Sequence, residues 1–155
     1  DVSSLGTLTN LQWLNLGVNQ ISDLSPLSGL TQLYYLDLEN NQVTDVSSLG
    51  TLTNLYWLNL AGNQISDLSP LSGLTQLQYL YLESNQISSV NALSGLTNLQ
   101  ELYLNDNQIT DVNVLIALTS LLYLDLGNDP LSVDACTTQI PAIEANGTTV
   151  IHNCP

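Results

Sequence analysis

The sequence predicts an α/β solenoid: a right-handed coil with a parallel β-sheet on its concave face, short helical or 3-10 turns on its convex face, and a C-terminal cap. Three observations predict it. Asn19, Asn41, Asn63, Asn85 and Asn107 recur every 22 residues, each followed by Gln and then by Ile or Val, and a fixed period of that length marks stacked supersecondary units. Leucine or a close relative returns at the same places in successive units, as Leu11, Leu14, Leu16, Leu24, Leu27 and Leu30 do in the first. All nine aromatic residues fall between those leucines, and none replaces one.

Each unit can be written LxxLxLxxNQIxDLxxLxxLT. Apolar alternation around Trp13 to Leu16 reads as a short strand, and Leu24 to Leu30 as a short helical or 3-10 turn. Asp23, Asp45, Asp67 and Asp111, with Ser89 in the fifth place, stand one residue before those turns. There a carboxylate accepts from exposed backbone N–H groups. This capping role is favoured over a ladder of calcium ligands, and no metal site is expected.

This unit resembles the leucine-rich repeat family. The 22-residue length, with Asp23-Leu24-Ser25-Pro26-Leu27 and Leu30-Thr31-Gln32-Leu33, looks most like the bacterial internalin-type variety. The resemblance covers residues 1 to about 131. It implies that the recurring Asn bonds backbone groups of neighbouring coils, and that the chain works as a binding module, since internalin-type relatives usually bind host or surface proteins.

Three regions are expected. Residues 1–10 match the back half of a unit, because Val2, Leu5 and Leu8 precede Leu24, Leu27 and Leu30 by one period; the natural protein is expected to continue upstream. Residues 11–131 carry the repeats. Residues 132–155 form the cap, after the ladder breaks at Asp129 and Pro130. Ile140 and Ile143 cover the last coil from a short helix, Asn146-Gly147 ends it, and Val150 and Ile151 return as a strand. Cys136 and Cys154 lie close enough in sequence for one local disulfide. Such a bridge would contribute roughly 3 kcal/mol and points to an extracellular or cell-surface setting. His152 beside them has no partner for catalysis and reads as a surface residue.

Composition narrows the partners. The chain has no Lys or Arg and 14 acidic residues, for a formal charge of −14. Nucleic acid is excluded as a partner because nothing would neutralise its phosphates. Side-chain salt bridges with Lys or Arg cannot form, and trypsin finds no site. No stretch approaches the roughly 20 apolar residues of a membrane span, so direct membrane insertion is not expected.

Alternation along each strand turns the residues between the leucines outward onto the concave face. By column these run Gln12, Tyr34, Tyr56, Gln78, Gln100, Leu122; then Trp13, Tyr35, Trp57, Tyr79, Glu101, Tyr123; then Asn15, Asp37, Asn59, Tyr81, Tyr103, Asp125; then Gly17, Glu39, Ala61, Glu83, Asn105, Gly127. Residues 2–45 and 46–89 are near copies that differ at nine places, six of them concave or rim positions. Change has concentrated where a ligand would sit.

The candidate contact residues are therefore Trp13, Tyr34, Tyr35, Asp37, Glu39, Tyr56, Trp57, Tyr79, Tyr81, Glu83, Glu101, Tyr103, Tyr123 and Asp125. Rigid rings among carboxylates fit a protein or peptide ligand rich in Lys or Arg. A glycan is the second candidate ligand. A structural solenoid or filament subunit, self-associating through an open end and the concave face, is the reading from another class. Catalysis is not expected and no cofactor is implied. Asp37 and Glu39 share a strand face some 7 Å apart, near the spacing of paired glycosidase carboxylates, but an open sheet offers no pocket to raise an acid's pKa.

Overall fold

A computed structural model describes residues 2–155. Seven parallel strands form one sheet in chain order: β1 (Trp13–Asn15), β2 (Tyr35–Asp37), β3 (Trp57–Asn59), β4 (Tyr79–Tyr81), β5 (Glu101–Tyr103), β6 (Tyr123–Asp125) and β7 (Thr149–Ile151). Register follows the period without a slip through the repeats: Trp13 faces Tyr35, Tyr35 faces Trp57, and Trp57 faces Tyr79. Three residues per strand suffice because each coil gains a second backbone ladder across the solenoid. There the N–H groups of Gln42, Gln64, Gln86 and Gln108 donate to the carbonyls of Ile21, Val43, Ile65 and Ile87.

The central residue of each repeat strand points inward, and Leu36, Leu58, Leu80, Leu102 and Leu124 have no exposed surface. The leucines of the convex 3-10 turns meet them, Leu27, Leu49, Leu71, Leu93 and Leu115 among them. Asp23, Asp45, Asp67 and Asp111 accept the N–H of the first residue of each turn at 2.8 to 3.0 Å, and Ser89 does so at 3.4 Å. The Ser47 and Ser69 hydroxyls, which donate to Asp45 and Asp67, together with these backbone bonds draw all four carboxyls below the ordinary aspartate range, so they are committed to local structure.

From Asn41 to Asn107 the asparagine ladder supplies partners for backbone groups inside the coil. Asn63 Nδ2 donates to Leu38 of the preceding coil at 3.0 Å and to Leu60 and Ala61 of its own, while Oδ1 accepts from Val43 N–H at 2.9 Å. Asn41, Asn85 and Asn107 repeat the pattern. A buried amide that satisfies a donor and several carbonyls has no apolar substitute.

The residue before each ladder position adopts a left-handed backbone: Val18, Asn40, Gly62, Ser84, Asp106 and Asn128 all have φ between 53° and 64°. Glycine and asparagine tolerate that conformation; valine does so only with strain.

Within the cap the helical segment begins earlier than the sequence implies. Helical structure begins at Val133 and widens into a π-helical turn at Ala135–Gln139 before the α-helix α1 (Ile140–Glu144). Pro141 supplies the reason, since it has no N–H and its ring crowds the carbonyl one α-helical turn earlier. Ile140 and Ile143 are buried on the last coil. Gln139, which nothing in the sequence singles out, is buried and clamps the cap in place. Its Oε1 accepts from Val112 N–H at 2.8 Å, and its Nε2 donates to Asp111 and Asp134. Cys136 and Cys154 stand at disulfide distance, Gly147 turns the chain with φ 93°, and the nearby His152 accepts from Cys154 N–H at 3.2 Å.

Candidate binding face

The in-register sheet stacks outward side chains at the strand spacing, about 4.8 Å, and aromatic rings at that spacing touch. Six of them form one continuous chain along the sheet. Trp13 stacks on Tyr35 with centroids 3.7 Å apart, and Tyr35 on Trp57 at 4.0 Å, both pairs within 10° of parallel. Trp57 then meets Tyr81 at 5.1 Å, Tyr81 stacks on Tyr103 at 4.8 Å, and Tyr103 meets Tyr123 at 5.1 Å. The chain thus changes column between β3 and β4 and changes back at β6, stepping around Glu101. A shorter branch joins Tyr34 to Tyr56, stacked at 4.6 Å, and Tyr56 to the edge of Tyr79 at 5.2 Å.

Parallel stacking takes up the ring faces. What the stacked part of the chain offers outward is ring edges, which carry the positive end of the quadrupole, and hydroxyl groups. The hydroxyls stay protonated: burial, followed by nearby carboxylates, raises Tyr35, Tyr123 and Tyr103, the last to about 12. Tyr81 is raised too, mainly by burial.

The carboxylates divide into two kinds. Asp37, expected as a surface contact, is only 9% exposed. Its Oδ1 accepts from Glu39 N–H at 3.1 Å and its Oδ2 from the Asn15 amide at 3.0 Å. Asn15, Asn59 and Asp125 hold Gly17, Ala61 and Gly127 N–H in the same way. These third-column residues therefore fold the chain out of the strand, a task that alternation alone does not reveal. Asp37 contributes charge to the face and little contact area.

Glu39, Glu83, Glu101 and Asp125 remain partly accessible. Tyr81 occupies the third-column place in β4, and Glu83 follows it two residues on. Burial raises its pKa, and Glu39 and Asp125 raise it further. Its Oε2 is buried and has no hydrogen-bond partner. With no Lys or Arg in the chain, neutralisation of this row by such a side chain must come from outside. Among the described residues no group of His, Cys, Asp and Glu is arranged to hold a metal ion, and no helix is long and apolar enough to cross a membrane.

Two rows of amides beside the Tyr34–Tyr56 branch fall outside the expected contacts. They are Gln12 and Gln78 in the first column, and Gln32, Asn54 and Gln76 one strand edge further out. Their signal was the same 22-residue spacing, carried by residue types that rings and charges overshadow.

A curved parallel sheet with an asparagine ladder behind it and variable side chains in front defines the leucine-rich-repeat class of scaffold. The family model for leucine-rich repeats in two copies matches residues 9–51, 52–95 and 97–135, and the chain belongs to that family. It is of the internalin-like kind. An internalin (inlF) of Listeria monocytogenes superposes with a TM-score of 0.91 at 39% identity, over 97% of this chain and 44% of that one. Internalin C2 of the same species gives 0.72 at 30% identity, over 96% and 74%. A leucine-rich-repeat protein of Leptospira interrogans gives 0.84 at 29%, over 94% and 38%. The chain thus spans less than half the length of that internalin F. No curated protein sequence matches it.

Proposed function

We propose that the chain is a non-catalytic recognition module whose concave face binds a basic segment of another protein, in an extracellular or cell-surface setting. The observation that carries this reading is the aromatic chain from Trp13 to Tyr123 bordered by carboxylates that have no cation of their own, with Glu83 Oε2 buried and unpartnered among them. Rings locked by stacking lose little entropy on binding. Their hydroxyls donate, and a Lys or Arg placed between Glu39, Glu83 and Asp125 relieves repulsion present in the free protein. Contact is by ring edges and hydroxyls rather than by cations lying on ring faces. The Cys136–Cys154 pair supports the oxidising compartment.

The test is equilibrium binding of the intact chain to an array of basic peptides and host surface proteins at low and high salt, with Trp57→Ala beside it. We expect a ligand whose affinity falls as salt rises and drops by at least about 2 kcal/mol, roughly thirtyfold, when the central ring is removed. A ligand indifferent to both changes refutes the proposal. An array without ligands, combined with concentration-dependent self-association, would replace it by the structural solenoid.

A further inference from the structure

We infer a second binding site, separate from the acidic face: an uncharged groove on the flank of the sheet that takes an extended neutral glycan. The groove has a volume of about 490 Å³, within the range of small-molecule sites. The stacked pair Tyr34 and Tyr56 lines it. Gln12 and Gln78 of the same column line it too, with Gln32, Asn54 and Gln76 of the neighbouring column. A protein with 14 carboxylates places none of them here.

The pattern of change between the two 44-residue copies supports a dedicated site. Positions 12 and 56 differ between the copies, as do 34 and 78. The result is Gln-Tyr-Tyr-Gln along the column, in place of a simple repeat of either copy. Only that order puts two tyrosines on adjacent coils, where they stack at 4.6 Å and 6°, with an amide beyond each ring. The rings join only where one copy meets the next.

Several of these polar groups are fixed in advance. Asn54 Nδ2 donates to Thr31 carbonyl at 2.8 Å, which leaves Oδ1 as an acceptor. Gln78 Oε1 accepts from Gln100 at 2.9 Å, which leaves its amide hydrogens as donors. Tyr34 is 48% exposed. Fixed donors and acceptors beside the exposed edges and hydroxyls of two stacked rings match the hydroxyl-rich, uncharged surface of a sugar, and the absence of charge selects against ionic ligands.

Spacing separates a glycan from an extended peptide. The amides repeat once per coil, at about 4.8 Å, and the unit length of an extended pyranose chain is close to that. Same-face side chains of an extended peptide repeat at about 6.6 Å and fall out of step within two coils; a polyproline turn, at about 9 Å, meets only every second coil, so a proline-rich peptide is the competitor the experiment must include.

The site does not depend on the basic-ligand reading, and the experiment keeps the two apart. The intact chain is titrated calorimetrically with cellotetraose, chitotetraose and β-1,4-mannotetraose, alongside a proline-rich decapeptide. We expect at least one tetrasaccharide to bind saturably at millimolar concentration or below, with equal affinity at low and high salt. Tyr34→Ala and Tyr56→Ala should each weaken it about tenfold or more with the thermal midpoint retained, whereas Glu101→Gln and Trp13→Ala leave it unchanged. No saturable binding of any sugar, binding indifferent to both tyrosines, or Tyr34-dependent binding of the peptide alone would each overturn the inference.

Discussion

One nitrogen atom separates Asp129 from the ladder asparagines before it. In Asn107 the side-chain nitrogen donates to Leu82 and Leu104; Asp129 has an oxygen there, buried and without a partner, while its Oδ1 keeps the bond from Ile109 N–H at 2.9 Å. Burial raises its pKa to about 6. The N–H groups of Ile109 and Asn107 work against that shift, and the charges of Asp106 and Asp125 work with it. The folded pKa lies above the unfolded value, so the folded chain binds the proton more tightly. This group's contribution is therefore most favourable below the unfolded pKa near 4 and is lost as pH rises through about 6. Asp129→Asn restores the missing donor and removes the charge, and is expected to stabilise the chain by about 2 kcal/mol at pH 7. The gain should shrink as pH falls from 6 to 4. Urea titrations at pH 7 and pH 4.5 check this, and a gain that does not change with pH would mean Asp129 is ionised at no cost.

The turn that leaves each strand carries its own test, because six successive coils ask one residue for a left-handed backbone and the first answers with valine. A β-branched residue there costs on the order of 1 kcal/mol relative to asparagine, and Val18 is 78% exposed, so no packing offsets the strain. Val18→Asn, which copies Asn40 and Asn128, is expected to raise stability by about 1 kcal/mol. Gly62→Val is expected to lower it by more, since a Cβ at that position collides with Asn40 Oδ1. Thermal midpoints of the two variants should move in opposite directions, and an unchanged midpoint for Val18→Asn would remove the strain argument. The period revealed these elements readily: strand centres, 3-10 turns, Asp caps and the ladder all follow from residues spaced by 22. Side-chain direction did not follow. Tyr81 lies in register with Asn59 yet packs diagonally against Trp57, and diagonal contacts depend on rotamers that a sequence does not state. Alternation likewise assigned Asp37 to the concave face but not its depth, which the bond to Glu39 N–H sets. Of the cap, the hydrophobic contacts of Ile140 and Ile143 were readable, whereas Gln139 depended on a π-turn that brings its amide back to Val112.

Charge is the property that belongs to the molecule as a whole. Fourteen acidic residues and no Lys or Arg leave the coil stack repelling itself, and each coil of a solenoid rests only on its neighbours, so the repulsion acts along the whole stack without internal relief. Sodium chloride screens it within about 8 Å at physiological strength. The free chain is therefore expected to become more stable as salt rises, by about 1 kcal/mol or some 3 °C in Tm between low and moderate salt, while its complex with a basic partner weakens over the same range. The two measurements share one cause and have opposite signs. A chain indifferent to salt would mean its carboxylates are too well solvated to repel, and the relief offered to a Lys or Arg at Glu39, Glu83 and Asp125 would then be too small to direct binding to the concave face.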